Sequence, residues 1–214
     1  VRDHGATGDG VTNDTTTIHA ARDGAGANGH LYFPAGTYMV SGLTANVAGQ
    51  VWELARGATI KLTAAGSDLL NVSAADVTIL GPGTLHCNRT GGNVDTAPIN
   101  ISANGVTFRQ VRIQNSNGTG IQSDSVGDVT VEGCYITDCL NAAVALYSGT
   151  GTRQRARILR NYIEQSATTG KLGSGVVVWA NQTSSLWNNV QVNDNVIRCA
   201  FTDDGGGSQG TGGI

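Results

Sequence analysis

Four stretches of this chain align without a gap: Val106-Thr-Phe-Arg-Gln-Val-Arg-Ile113, Val129-Thr-Val-Glu-Gly-Cys-Tyr-Ile136, Ala156-Arg-Ile-Leu-Arg-Asn-Tyr-Ile163 and Val190-Gln-Val-Asn-Asp-Asn-Val-Ile197. A related stretch, Val77-Thr-Ile-Leu-Gly-Pro-Gly-Thr-Leu85, precedes them. Their starts advance by 23, 27 and 34 residues from Val106 to Val190. Recurrence at such periods is the mark of a solenoid, in which one unit cannot bury its apolar face alone and must stack on the next. Uneven spacing fits a β-helix, because extra residues leave as loops while stacked strands keep register at about 4.8 Å per coil. A sandwich or propeller would instead need longer strands closed by hairpin turns.

The columns of the alignment say which side chains face inward. Val106, Val129, Ala156 and Val190 share one; Phe108, Val131, Ile158 and Val192 a second; Ile113, Ile136, Ile163 and Ile197 a third. Val111, Cys134, Asn161 and Asn195 fall at the bend between two short strands, where an inward Asn can hydrogen-bond turn backbone and stack on its counterpart in the next coil. A third strand follows each unit, as Gly120-Ile-Gln-Ser123, Ala143-Val-Ala-Leu146 and Gly175-Val-Val-Val-Trp179. The expected fold is therefore all-β: a single-stranded parallel β-helix with three strands per coil, right-handed by the general preference of parallel crossovers.

Composition agrees. The chain has 214 residues, 31 of them Gly, with 14% charged and 5% aromatic residues, which favours strands and turns in one elongated body. A net charge of -3 argues against a nucleic-acid partner, since such domains carry a basic excess. No apolar run approaches the roughly 18 residues of a membrane span, so membrane insertion is not expected. Cys87, Cys134, Cys139 and Cys199 are scattered, with no CxxC pair and no metal-ligand spacing. They read as small buried residues or ladder members, or as disulfide partners (Cys134 with Cys139, or Cys87 with a later one) if the protein is extracellular.

Residues 1–40 differ in kind: a Gly/Asp-rich turn, a short helix capped by Asn13 or Asp14 running through Ile18 to Ala21, then Leu31-Tyr-Phe-Pro-Ala-Gly-Thr-Tyr-Met-Val40. Such a helix would cover the open end of the solenoid and shield its strand edges. This divides the chain into a capping segment with first coil (1–40) and the β-helix proper (41–214). The residues Val1-Arg-Asp-His-Gly-Ala-Thr-Gly-Asp-Gly-Val-Thr-Asn-Asp-Thr-Thr-Thr-Ile-His-Ala-Ala21 and Tyr32-Phe-Pro-Ala-Gly-Thr-Tyr38 resemble the opening segment of the pectate-lyase-like β-helix superfamily. His4 stands where an aromatic is usual and Asn13 where Asp is usual. The resemblance implies the right-handed fold and a polysaccharide partner. It points to secreted lyases, glycoside hydrolases, epimerases or phage tailspike depolymerases, and so to an extracellular or virion-tail location. A tailspike would be a homotrimer and a secreted enzyme a monomer. The opening at Val1 and the uncapped Gly-rich end lead us to expect sequence on both sides.

A fold that hosts many activities names none, so chemistry has to come from outward side chains. One outward column holds Arg112, Tyr135, Tyr162 and Val196; another, at the end of the third strand, holds Asp124, Tyr147 and Trp179. Aromatic rows beside polar groups suit sugars, whose apolar ring faces stack while their hydroxyls find partners at the rim; the competing reading is a subunit interface. Alternation sends Arg155 and Arg157 outward, and with Arg160 they could match uronate carboxylates or form a solvated face. Hydrolysis needs two carboxylates, and Asp138 with Glu164 is the leading pair, with Asp124, Asp203 and Asp204 behind it. Elimination would use a base and a charge neutraliser, Arg157 or Arg160, or Ca²⁺ in a lyase. The superfamily's clustered Asp calcium motif, its polygalacturonase set and its epimerase Asp-Pro-His motif are missing from these residues. No cofactor or metal ligand is assigned. A non-catalytic tail or surface fibre is the alternative to a depolymerase.

Overall fold

The computed structural model describes residues 1–64, 67–89, 97–149, 151–165, 174–180 and 186–199. Among them, short strands form three parallel sheets, each one face of a coiled prism. The first face stacks His30–Phe33, Val51–Leu54, Thr78–Leu80, Thr107–Arg109, Val129–Glu132, Thr152–Leu159 and Leu186–Asn193. The second stacks Asp9–Asn13, Gly36–Val40, Ala58–Leu62, Thr84–His86, Arg112–Ser116, Tyr135–Cys139, Tyr162–Gln165 and Val196–Cys199. The third stacks Leu43–Ala45, Leu70–Val72, Ile99–Ile101, Ile121–Asp124, Ala142–Tyr147 and Ser174–Trp179. The chain visits the faces in that order, once per coil, so each pairing joins residues one coil apart.

Register confirms the inward columns and extends them. Tyr38, Ile60, Leu85, Ile113, Ile136, Ile163 and Ile197 pair successively along the second face. Leu31, Trp52, Ile79, Phe108, Val131, Ile158 and Val192 do so along the first. Most are fully buried, forming one apolar interior along the axis. The coils before Val77 are less legible in the sequence because Trp52 and Tyr38 stand where later coils carry mostly Val and Ile. Large rings fill the interior near the capped end, with Phe33 packed edge-on to Tyr38 at 5.7 Å.

At the bend between first and second faces, the expected polar ladder forms. Asn161 Nδ2 donates to Val131 O (2.9 Å) and Asn195 Nδ2 to Ile158 O (2.7 Å), while their Oδ1 atoms accept from the backbone N–H of Cys134 and Asn161 (both 2.9 Å). Cys134 takes the same place, its thiol donating to Phe108 O at 3.6 Å. Burial pushes that thiol up to about 12, so it stays protonated and keeps its hydrogen. Cys87, Cys134 and Cys139 are buried free thiols, so the disulfide alternative between Cys134 and Cys139 is not realised.

A second ladder runs along the corner between third and first faces. Asn28, Gly49, Asp76, Gly105, Asp128, Arg155 and Asn189, each two residues before an equivalent first-face position, all adopt positive φ between 49° and 78°. Left-handed backbone suits Asn, Asp and Gly, and Arg155 is the exception. Side chain and glycine alternate along most of this edge for a steric reason. A β-carbon on Gly49 would collide with Asn28 Oδ1, and one on Gly105 with Asp76 Oδ1. Where the alternation breaks, Arg155 Nε donates to Asp128 Oδ1 at 2.5 Å.

The helix Thr15–Ala25 closes the N-terminal end, as expected. Leu43–Ala45 is the first strand of the third face and has no earlier neighbour. Its Thr44 N–H donates to His19 Nε2 (3.2 Å), and Thr44 O accepts from Arg22 Nη1 (2.7 Å), so helix side chains satisfy the bare edge. Asp14 is the N-cap residue, but its carboxylate turns back to accept from the backbone N–H groups of Thr7 (2.7 Å) and Gly8 (3.0 Å). Asn13 Oδ1 takes the Thr15 amide instead, at 3.0 Å. No described helix is long and apolar enough to cross a membrane.

Candidate functional site

The candidate residues distribute over all three faces. Arg112, Tyr135, Tyr162 and Val196 pair in register on the second face; Asp124, Tyr147 and Trp179 do so at the end of the third; Arg155 and Arg157 stand exposed at the start of the first. Asp203 and Asp204 lie outside the described residues.

On the second face the aromatic column is closed. Tyr135 and Tyr162 stack with ring centroids 4.9 Å apart and planes 3° from parallel. The outer face of Tyr135 carries the Arg112 guanidinium, 5.0 Å from its centroid, and that of Tyr162 carries Arg198, at 5.6 Å. Both phenols reach Glu164 Oε2, at 3.4 Å and 3.3 Å. Every ring face is thus occupied by protein, leaving edges rather than faces to a sugar. Arg198 was not picked out from the sequence, although it sits opposite Glu164 in the next coil.

Glu164 and Asp138 do not occupy equivalent positions. Register sets Glu164 opposite Thr137, and Asp138 comes one residue later, within the strand Tyr135–Cys139 but with a left-handed φ of 56°. Its carbonyl accepts from Arg89 Nη1 at 3.3 Å. The two carboxylate residues therefore stand on neighbouring strands one residue out of register, and Glu164 already meets two tyrosines. Arg160 is likewise committed: together with Arg109 (3.1 Å) it binds Glu132, and these two arginines hold the Glu132 carboxyl below its usual range, Arg160 foremost.

The third face is open. Tyr147 and Trp179 lie 6.3 Å apart and tilted by 41°, and Trp179 is 56% exposed. Behind them along the same sheet runs an outward row of amides, Asn71, Asn100 and Gln122, paired in register. Asn71 Oδ1 is buried without a hydrogen-bond partner among the described residues. Asp124 sits opposite Tyr147, its Oδ1 accepting from Ser125 Oγ at 3.0 Å. This row went unnoticed in the sequence because its earlier coils lie outside the aligned repeats.

Three residues, 125–127, carry the chain from Asp124 round the corner to Asp128. There a cavity of about 420 Å³ opens on the first face, lined by Asp76, Asn104, Thr107, Thr130, Arg155 and Arg157 among others. Thr107, Thr130 and Arg157 pair in register, a column already visible as the second position of each repeat. No described cluster of His, Cys, Asp and Glu could hold a metal ion.

Comparison with known proteins agrees with this geometry. Residues 1–51 match the family described as rhamnogalacturonase A/epimerase, pectate lyase-like, and residues 61–211 match the right-handed β-helix region. Mannuronan C5-epimerase AlgE1 of Azotobacter vinelandii is 57% identical over 44 residues, a match covering 20% of this chain and 3% of the epimerase. Among solved structures, a presumed glycosyl hydrolase from Parabacteroides merdae superimposes with a TM-score of 0.66 at 16% identity, over 90% of this chain and 97% of that one. An exopolygalacturonase from Thermotoga maritima does so with a TM-score of 0.64 at 13% identity, over 91% and 65%. At these identities the structures attest the fold alone. The chain belongs to the right-handed β-helix family, within the pectate-lyase-like superfamily.

Proposed function

We propose that this chain is the glycan-handling β-helix of an extracellular or virion-tail depolymerase, a polysaccharide lyase or glycoside hydrolase, and that the sugar chain lies along the third face. The observation that carries this reading is the open Tyr147–Trp179 pair, in register with Asp124 on the sheet that also carries a row of outward amides. Tilted, accessible rings can take the apolar face of a pyranose while amides bond its hydroxyls. The relatives named as epimerase, hydrolase and exopolygalacturonase support the same partner class. Asp124 is the one described carboxylate from the sequence candidates that stands on this face. Hydrolysis would need a second across the scissile bond, about 5 Å away for retention or 6.5 to 9.5 Å for inversion.

The test is incubation of the full-length protein with a panel of polysaccharides, following reducing ends, the absorbance of unsaturated uronates, and uronate C5 configuration by NMR. New reducing ends alone identify a hydrolase; reducing ends together with unsaturation identify a lyase; inversion at C5 without cleavage identifies an epimerase. Retention of a polysaccharide with none of these changes would leave a binding module. Neither retention nor turnover would overturn the reading in favour of a structural fibre; within the depolymerase reading, a trimeric mass in solution would mark a tailspike and a monomer a secreted enzyme.

A further inference from the structure

The third-face sheet begins at a strand of three residues whose outer edge offers one donor and one acceptor. Leu43 N–H donates to Leu69 O (2.9 Å) and Ala45 O accepts from the Ser73 N–H (3.1 Å), so both flanking residues bond the next coil. Thr44 alone faces off the sheet. Its N–H goes to His19 Nε2 at 3.2 Å and its carbonyl accepts from Arg22 Nη1 at 2.7 Å, both on the capping helix. A bare edge of this kind pairs readily with other strands, so these two side chains stand in for a neighbouring coil.

The two holders differ in kind. A guanidinium keeps its donors at any ordinary pH, whereas an imidazole nitrogen accepts only while the ring is neutral. Accepting at Nε2 leaves the ring proton on Nδ1. A second proton would turn Nε2 into a donor aimed at the Thr44 N–H, and attraction would become repulsion. Burial opposes that charge most strongly, Arg22 adds to the opposition, and Asp23 favours it. Both charged groups lie on the helix itself, and the strand Leu43–Ala45 brings no titratable side chain. On the other segments packed against the helix, Arg2 bonds Ala35 O (2.8 Å), Asp3 acts on the Val1 amino group and His4 lies against Gly24. His30 is engaged by Glu53 at 3.0 Å, and Tyr32 points outward on the first face.

We infer that the cap helix is an acid-operated latch on this sheet edge: His19 holds Thr44 while its ring is neutral and lets go when the ring takes a second proton. Release is local, because the other fastenings of the helix do not titrate. At its start, Thr15 Oγ1 accepts from the Ser41 N–H (2.9 Å). At its end, the buried Gln50 Nε2 donates to Arg22 O (2.8 Å) and Gly26 O (2.9 Å). The helix therefore stays pinned at both ends while its middle gives up the strand. The first edge of the third face then presents a free N–H in acid and none at neutral pH, whatever lies on the rest of that face. The transition follows the titration of His19, which burial sets below the ordinary 6.5.

The experiment follows Thr44 amide hydrogen exchange and the His19 ring nitrogens by NMR on the full chain, from about pH 7.5 to about pH 4.5, with exchange expressed as protection relative to an unstructured chain at each pH. At the neutral end the ring is expected as the Nδ1–H tautomer. Thr44 protection should fall about tenfold or more as the ring titrates, with the same midpoint. His19→Gln keeps an acceptor that takes no proton, so protection should persist across the range; His19→Ala should leave Thr44 unprotected throughout. Asp23→Asn preserves an acceptor for Arg22 Nε (2.8 Å) but removes the charge that favours the proton, moving the midpoint to lower pH. The Thr130 and Tyr135 amides, bonded to Val106 O and Val111 O in the middle coils, report general unfolding and should stay protected in every variant. Thr44 protection that ignores pH, an equal acid loss in His19→Gln, a protected Thr44 in His19→Ala, or loss at Thr130 and Tyr135 with the same midpoint would each overturn the latch.

Discussion

Two aromatic ladders stand on this solenoid, built by the same device of equivalent residues one coil apart. On the second face, Tyr135 and Tyr162 are parallel at 4.9 Å, roofed by Arg112 and Arg198 and tied to Glu164. On the third, Tyr147 and Trp179 are tilted and lack such roofs among the described residues, with Trp179 more than half exposed. The coil spacing brings rings together in both cases. What differs is whether the neighbouring coils supply cations and a shared acceptor. Where they do, the ladder spends its faces on itself; where they do not, faces remain for a ligand.

The contrast breaks most readily at its closed member. Tyr162→Ala should lower unfolding stability by about 2 kcal/mol, through lost ring stacking and packing, and leave glycan retention intact; chemical denaturation together with affinity electrophoresis would read both. Trp179→Ala should do the opposite, weakening retention about tenfold, or 1.4 kcal/mol, with stability unchanged. If both variants lose retention equally, the two ladders are one surface and the distinction fails. A smaller effect is expected from Arg198→Ala, about 0.5 kcal/mol of stability from the lost cation contact, with one Tyr162 face newly exposed to solvent and visible as increased quenching of tyrosine emission.

The gentlest probe is acid. His86 lies on the second face, where its Nδ1 accepts from the Asn88 backbone N–H at 3.0 Å. Burial, with help from Lys61, holds its pKa below the ordinary 6.5. The unfolded chain therefore takes up the proton first, and stability falls as pH drops from about 6.5 toward the lower folded value. His19 at the helical cap has a depressed pKa for the same leading reason, burial, and acts in the same direction. The open pair includes no histidine, so its affinity for a neutral glycan should hold across that interval. Thermal melts of the wild type and of His86→Gln between pH 7 and 5 would test this, the variant losing part of the slope.

How much of this was legible beforehand follows from what a column of residues can encode. Val, Ile and Asn recur because inward positions allow little else, so Ile113 through Ile197 and the Asn161–Asn195 ladder announced the coils. The same alignment placed Arg112, Tyr135 and Tyr162 together correctly. It could not say that rings one coil apart would use up each other's faces, because availability depends on neighbours such as Arg198 rather than on residue type. Asp138 and Glu164 stand one residue out of register on neighbouring strands, a detail the sequence does not show because the left-handed residue at Asp138 lies inside its strand. The cavity was half visible: its Thr–Thr–Arg column sat in the alignment, but Asp76 and Asn104 belong to turns, which vary freely between coils.

The alternating edge formed by Asn28, Gly49, Asp76, Gly105 and Asp128 has an implication for how such a molecule can change length. A single turn looks like the interchangeable brick, yet removing one would set two bulky groups in a space that holds one. Growth or shrinkage by pairs of turns preserves the pattern. Growth by an odd number demands a substitution that converts crowding into attraction, and Arg155 beside Asp128 is what such a repair looks like.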